Sequence, residues 1–400
     1  MAKKVRNVAI PVALQIIADD YGWHNGRDGR LENRPSRSGL PRDHAVEDYL
    51  IMNEIGKALD MKILTPFVIG EWDKDNILRG VKGVTYNEKN WDRASEIDMR
   101  KAEKFFEAAE GSEYVEYGYH ALLHGYYKDD KQICETEYSR PRYDEKTDTY
   151  DKKTFDYIPE NEMQEYIDTF FKIYDSWGFN KKIRSFVSPC SVHTPPELTK
   201  DFANVLRKNG FIHWANYWSL LNDTTAVISG VTFMEKGFVG AHWDQYDIDP
   251  ITLFDQPTML IDGEELTNPA MGFHWTNFLR LCPQNNMDNL SSWIKYFRRQ
   301  DEIFGNMLSR DVGFASNQAV YARFAKLSVE GNKYTIDLSD VDAQGALSLL
   351  DHFYVSTKAP IKQGSCVGGS FSIYDKKTWH TNYKIERINN AKIITFELEG

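Results

Sequence analysis

The sequence predicts an α/β protein: a (β/α) barrel of about seven parallel strands, followed by a small antiparallel β-sandwich. Three observations point there. From residue 8 to about residue 308, apolar strand-like runs alternate with stretches of helical period, the pattern of parallel strands joined by crossover helices. Trp23, Trp72, His120, Pro189, Trp214, Trp243 and His274 fall at or just past the ends of those strands, and in a barrel such residues converge on one face. From about Arg310 the pattern changes to short strands separated by Gly, Asn and Asp turns. The expected division is a barrel over residues 1–310 and a sandwich over 311–400.

Taken in order, the first apolar run, Val8 to Ala18, ends in Asp19-Asp20-Tyr21-Gly22 and reads as a buried strand carrying two acids at its carboxyl end. A polar loop from Trp23 to Arg42 follows, too long for a simple turn. Asp43 is placed to cap a helix running to about Leu59, with Val46, Leu50, Ile51, Ile55 and Leu59 at helical spacing. Met61–Ile69 is a second strand and residues 91–109 an amphipathic helix. A third strand, Tyr114–Tyr119, runs into His120-Ala121-Leu122-Leu123-His124. Residues 126–156 are a polar, turn-rich excursion, since the alternation resumes after them. Glu160–Trp177 is a helix, and Ile183–Val187 a strand ending at Ser188-Pro189-Cys190. Pro195-Pro196-Glu197 opens the next helix, where proline's missing N–H costs nothing, and Lys208-Asn209-Gly210 closes it. Strands at Phe211–Ala215, Gly237–Ala241 and Ala270–Phe273 and a helix Leu290–Leu308 complete the barrel. Beyond it, Val320–Val329, Lys333–Leu338, His352–Thr357, Ser370–Tyr374, Tyr383–Ile388 and Ile393–Leu398 read as strands of the sandwich.

Charge and composition narrow the function. A net charge of −11 argues against nucleic acid or an anionic membrane as the main partner. Cys134, Cys190, Cys282 and Cys366 lie far apart, with no CxxC and no metal-finger spacing, and read as free thiols. There is no run of about 18 or more apolar residues, so nothing in the sequence spans a membrane. Met1 to Arg6 is basic, but no apolar signal stretch stands before the first strand and there is no small-residue cleavage site. A cytoplasmic protein is expected, and a secreted one trimmed of its leader would read alike.

Adjacent carboxylates repel and lose hydration when buried, so a chain that keeps two at a strand end has a cation for them. His120 and His124 are four residues apart, and on a helical turn both rings would lie on one face and chelate a single ion. With one carboxylate of the Asp19–Asp20 pair they make two imidazoles and one aspartate, which leaves positions open for water, as a catalytic site requires. The position after His120 is Ala121, so this is not the HExxH helix of metalloproteases. The base must come from elsewhere, and the other carboxylate of the pair is the obvious source. Zinc suits such ligands; nickel, cobalt and iron fit them too.

An Asp-Asp pair ending strand one and an HxxxH after strand three resemble the polysaccharide deacetylases of the NodB-like superfamily, metal-dependent enzymes on a distorted (β/α) barrel. The resemblance implies Asp19 as catalytic base, Asp20 as metal ligand, and His120 and His124 as the other ligands. Phe186-Val187-Ser188-Pro189-Cys190 looks like that family's proline loop, which implies the Cys190 backbone N–H in the oxyanion hole. His274, in Gly272-Phe273-His274-Trp275, is most similar to its late histidine, the general acid. The family's arginine beside the proline appears here as Val187 or Ser188, and its aspartate near strand five is absent from Phe211–Ala215. The network around base and acid must therefore be rebuilt.

Trp23, Trp72, Trp214, Trp243 and Trp275 are candidates to line a sugar cleft, because aromatic faces stack on pyranose C–H faces; each alone is more often a core residue. His242-Trp243-Asp244 rivals His274 for the acid position, and His193 sits on the loop after strand four. The reading favoured is a metal-dependent hydrolase removing an acetyl group from an N-acetylated sugar. Two others stay open: a glycoside hydrolase using Glu71 and Glu116, or Asp244, as acid and base, and a carbohydrate-binding protein whose barrel has lost activity.

Overall fold

The computed structural model of the chain describes residues 3–26, 38–128, 131–147, 149–190, 196–217 and 221–400. Seven parallel strands close into a barrel: β1 (Val12–Asp19), β2 (Ile63–Val68), β3 (Val115–Ala121), β4 (Ser185–Val187), β5 (His213–Asn216), β6 (Val231–Phe238) and β7 (Ala270–His274). Each pairs in parallel with the next, and β7 returns to β1. The strands are buried at nearly every position, on both faces, as in such a barrel, and are mostly apolar for that reason. One face fills the interior: Ile17, Leu64, Val187, Ala215, Met234 and Ala270 form one cluster, with a residue from each of six strands. The other face packs under α1 (Val46–Leu59), α2 (Met99–Glu110), α3 (Glu160–Trp177), α4 (Pro196–Lys208) and α5 (Leu290–Asp301).

The barrel is distorted at one seam. The register of β1 with β2 is reduced to Ile17 opposite Leu64, with a further bridge from Tyr21 to Phe67. A short strand, β8 (Asn306–Leu308), pairs with Val12–Leu14 and takes up the amino-terminal half of β1. The expected helix Leu290–Leu308 accordingly stops at Asp301.

Two further expectations change. Val320–Val329 is not one strand, because α6 (Val312–Phe324) occupies most of it and a strand begins only at Lys326. Val312, Ala315 and Ala319 of α6 join the interior cluster, so this helix closes the barrel's amino end as a floor. The run from Val8 to Ala18 is also divided. Val8–Ala9 pairs with Ser356–Thr357, and β1 begins only after Pro11.

Antiparallel sheets follow the barrel. His352–Thr357, Thr381–Arg387 and Gly369–Lys376 form one sheet, which Lys4–Val5 and Val8–Ala9 complete; Lys326–Glu330, Lys333–Asp337 and Ile393–Glu397 form another. The excursion after β3 is two hairpins, Tyr126–Lys128 with Lys131–Cys134 and Ser139–Asp144 with Thr149–Tyr157. Among the described residues, no helix is long and apolar enough to cross a membrane.

Candidate metal centre

Side chains alternate along a strand, so Asp19 and Asp20 should face opposite ways. They do not, because Asp20 has a left-handed backbone (φ +66°). Both carboxylates reach one cavity of about 240 Å³ at the carboxyl ends of the strands, together with His120, His124, Cys190 and His274. His124 (φ +54°) and Cys190 (φ +48°) share this uncommon conformation. Non-glycine residues hold it at a cost of about 1–3 kcal/mol each, and only where their surroundings impose it.

The histidines come from a strand end and a bend rather than from the helical turn expected: His120 lies in β3 and His124 in the bend beyond it. Asp20 Oδ1 stands 3.2 Å from His120 Nε2 and 3.3 Å from His124 Nε2, with all three residues buried. His120 Nδ1 is 2.7 Å from the Val187 carbonyl oxygen. A carbonyl can only accept, so Nδ1 carries the proton and, in the neutral ring, Nε2 presents a lone pair. A lone pair facing a carboxylate oxygen at that distance is repulsive unless a cation or a proton lies between them. Donors held at about 2.0–2.1 Å around one tetrahedral ion stand about 3.3–3.4 Å apart, close to the spacing seen. Asp20, His120 and His124 can therefore hold a metal ion. Burial works to raise the Asp20 carboxyl, but the imidazoles around it, His124 foremost, then His120 and His274, outweigh it and hold it well below the usual carboxylate range.

Asp19 sits beside this set, with His274 as its register partner across the β1–β7 pair. Lys236 Nζ lies 2.6 Å from Asp19 Oδ2, with both side chains buried. The ammonium also stands 3.9 Å from the centre of the Tyr217 ring. In register Lys236 is level with Ala270, and through it with Gln15, so its stem climbs from four residues below Asp19. Asp19 Oδ1 is buried with no hydrogen-bond partner, as is His274 Nδ1. Burial pushes the His274 ring below its ordinary value, and Asp20 and Asp19 pull it part of the way back. Lys236 is thus a buried cation that another strand holds against Asp19. Its signal was a lysine, next to Glu235, inside the strand-like stretch Val231–Phe238, where a buried charge needs a partner.

The excursion adds two acids that the sequence reading did not select. Glu135 Oε2 lies 3.2 Å from Cys190 Sγ, and both residues line the cavity. Glu137 is buried and accepts from the N–H groups of Leu122 (2.5 Å) and Gly125 (3.2 Å). Burial pushes its carboxyl up to about 7 against those bonds.

The tryptophans divide. Trp243 lines the cavity, whereas Trp23, Trp72, Trp214 and Trp275 are buried in the core and offer it no face. Three of these four also have their indole N–H engaged within the protein: Trp72 on Gly22 O, Trp214 on Ser188 Oγ and Trp275 on Asp48 O. His242 lines the rim, exposed, with Nδ1 2.6 Å from Asp244 Oδ1. Glu71 pairs with Arg93 at 3.0 Å, and Glu116 accepts from Val312 N at the barrel floor. Neither lines the cavity, so the acid pair of a glycosidase is not assembled from them. His193 lies outside the described residues.

No protein-family model matches this sequence, and no curated protein matches it. Among solved structures, the chain is similar to a Mycobacterium smegmatis protein provisionally assigned as a polysaccharide deacetylase, with TM-score 0.36 and 9% identity over 74% of this chain and 86% of that one. It is similar to a GH57-type branching enzyme from Pyrococcus horikoshii, with TM-score 0.30 and 13% identity over 57% of this chain and 46% of that one. A GH57 branching enzyme from Thermococcus kodakaraensis gives TM-score 0.32 and 13% identity over 74% and 63%. Likenesses this weak carry no argument about activity.

Proposed function

We propose that this chain is a metal-dependent hydrolase that removes an acetyl group from an N-acetylated sugar of a glycan. The observation that carries the reading is the pair of imidazoles aimed at one oxygen of Asp20, with a second carboxylate, Asp19, in the same cavity. Asp20, His120 and His124 would hold the ion, with zinc the best match and nickel, cobalt or iron compatible. Such an ion supplies Lewis acidity, polarising an amide carbonyl and lowering the pKa of water.

The remaining tasks fall to the chain's own residues. Asp19, held by Lys236, accepts a proton from the attacking water. The Cys190 backbone N–H donates to the carbonyl oxygen as negative charge develops there. His274 passes a proton to the leaving nitrogen as the C–N bond breaks, so acetate departs and a free amine stays on the sugar. Phe238 and Trp243 give the ring an apolar wall at the rim.

The test is acetate release from N-acetylglucosamine oligomers by the chain loaded with zinc, cobalt or nickel. Release is expected from the loaded wild type and none from Asp20→Ala. If the loaded protein releases no acetate from any N- or O-acetylated sugar, the reading is wrong; new reducing ends instead of acetate would favour a glycosidase.

A further inference from the structure

The chemistry just described gives the hairpin excursion no task, yet two of its side chains reach back to the histidine bend. The two oxygens of Glu137 accept from Leu122 N and from Gly125 N, which bracket His124. Gln132 Nε2 donates to the His124 carbonyl at 3.3 Å. From the barrel side, Gly70 N donates to the Leu122 carbonyl at 2.7 Å. The bend needs such ties, because residues 122–125 belong to no helix or strand and His124 holds a left-handed backbone. Gly125 lets the hairpin approach: a Cβ there would come within 2.4 Å of the Gln132 amide nitrogen.

We propose that Glu137 is a positioning residue for the metal-ligand bend, its carboxylate bridging the N–H groups on either side of His124 so that this imidazole meets the same ion as His120 and Asp20. The inference rests on the metal reading above. The bridge calls for a carboxylate, since two N–H donors need two acceptor oxygens. A glutamine offers one oxygen, and its NH₂ would face the other N–H. Gln132 is a lesser tie to the same bend, attached from the exposed side of the hairpin. The excursion thereby gains a function: it carries a clamp across the mouth of the barrel.

The experiment compares full-length wild type with Glu137→Gln, Glu137→Asp and Asp20→Ala. Each metal-free chain is titrated with Co²⁺ against a chromophoric chelator, and amide hydrogen exchange is followed over residues 120–126 before metal is added. Glu137→Gln is expected to lose about 10–100-fold in Co²⁺ affinity, the range for losing an outer partner of a ligand. Its cobalt absorption bands should change, and exchange at Leu122 and Gly125 should accelerate. Affinity within about twofold of wild type, well short of that range, together with unchanged exchange overturns the proposal. Should Glu137→Gln fail to fold, Glu137→Asp keeps both oxygens on a shorter stem and must shift affinity and exchange in the same direction; no shift overturns it. A wild-type chain that takes up no cobalt overturns the proposed function and with it the ion, while the exchange measurement separately decides whether Glu137 holds the bend.

Discussion

Two carboxylates stand near opposite ends of the same barrel, Asp20 buried and Glu116 half-buried, and the loss of water around them pushes both toward the neutral acid. Asp20, at the carboxyl end, has three imidazoles around it and stays well below the usual carboxylate range. Glu116, at the amino end, is pushed up to about 8 by burial and by the charge of Asp311, against one N–H bond from Val312 and the cations Arg184 and Lys62. At neutral pH one is an anion awaiting a cation and the other a protonated acid packed under α6. Burial pushes the two the same way, and their neighbours set them apart. This matches the division of labour in (β/α) barrels, where chemistry sits at the carboxyl face and stability at the other.

The largest expected effect breaks the comparison at its charged end. Asp20→Ala should abolish stoichiometric metal uptake, read by metal analysis of the purified chain, whereas Glu116→Gln should leave it untouched. Full occupancy in Asp20→Ala would remove that residue from the ligand set. Next comes the ion pair beside it. Lys236→Met leaves the Asp19 charge buried without its partner, which costs about 3–5 kcal/mol in a denaturant titration. Hydrolysis should fall by about 10²–10⁴-fold, the worth of a positioned acid or base, with metal retained. A variant that keeps full turnover would mean that the Lys236 ammonium does not prepare Asp19 for its task.

Glu116 sharpens the comparison through pH. Its folded pKa lies above the unfolded value of 4.5, so between about 4.5 and about 8 the folded chain holds a proton that the unfolded chain has released. Its contribution to stability is therefore full below about pH 4.5, declines as pH rises, and is gone above about 8. One group gives a slope of at most about 1.4 kcal/mol per pH unit. Glu137 acts with the same sign over a narrower window, so the diagnostic quantity is the difference between wild type and Glu116→Gln. Urea titrations from pH 5 to pH 8 should show the decline shallower in Glu116→Gln; identical slopes would mean that Glu116 is ionised in the folded chain.

The asymmetry between the two ends also explains what could be read in advance. The Asp19–Asp20 strand end and the His120–His124 pair were legible because acids and imidazoles against apolar runs stand out locally. Lys236 was not, since its partner lies 217 positions away and nothing near it in the chain names that partner. Glu137 was hidden for the same reason: its bonds go to a bend in another element. The left-handed backbones at Asp20, His124 and Cys190 fall on residues that do not advertise them as glycine would. α6 escaped because it is buried on nearly every side, and a helix with no polar face shows no amphipathic stripe. The tryptophans were ambiguous in kind, since a large ring at a strand end suits a cleft and a core equally well.

That ambiguity supplies the smallest expected effect. Trp214 is fully buried and braces Ser188, next to Pro189 and Cys190, so Trp214→Ala should cost about 3–5 kcal/mol of stability. Trp243 is half-buried on the cavity rim, and Trp243→Ala should change stability by no more than about 1 kcal/mol. Its signature should be kinetic: KM raised several-fold, roughly, on N-acetylglucosamine oligomers, with kcat nearly constant. A ring on the rim meets the sugar alike before and during C–N cleavage, so its loss weakens ground state and transition state together. Were kcat to fall instead, Trp243 would be ordering the reacting groups, and the sugar would have to sit deeper than the rim.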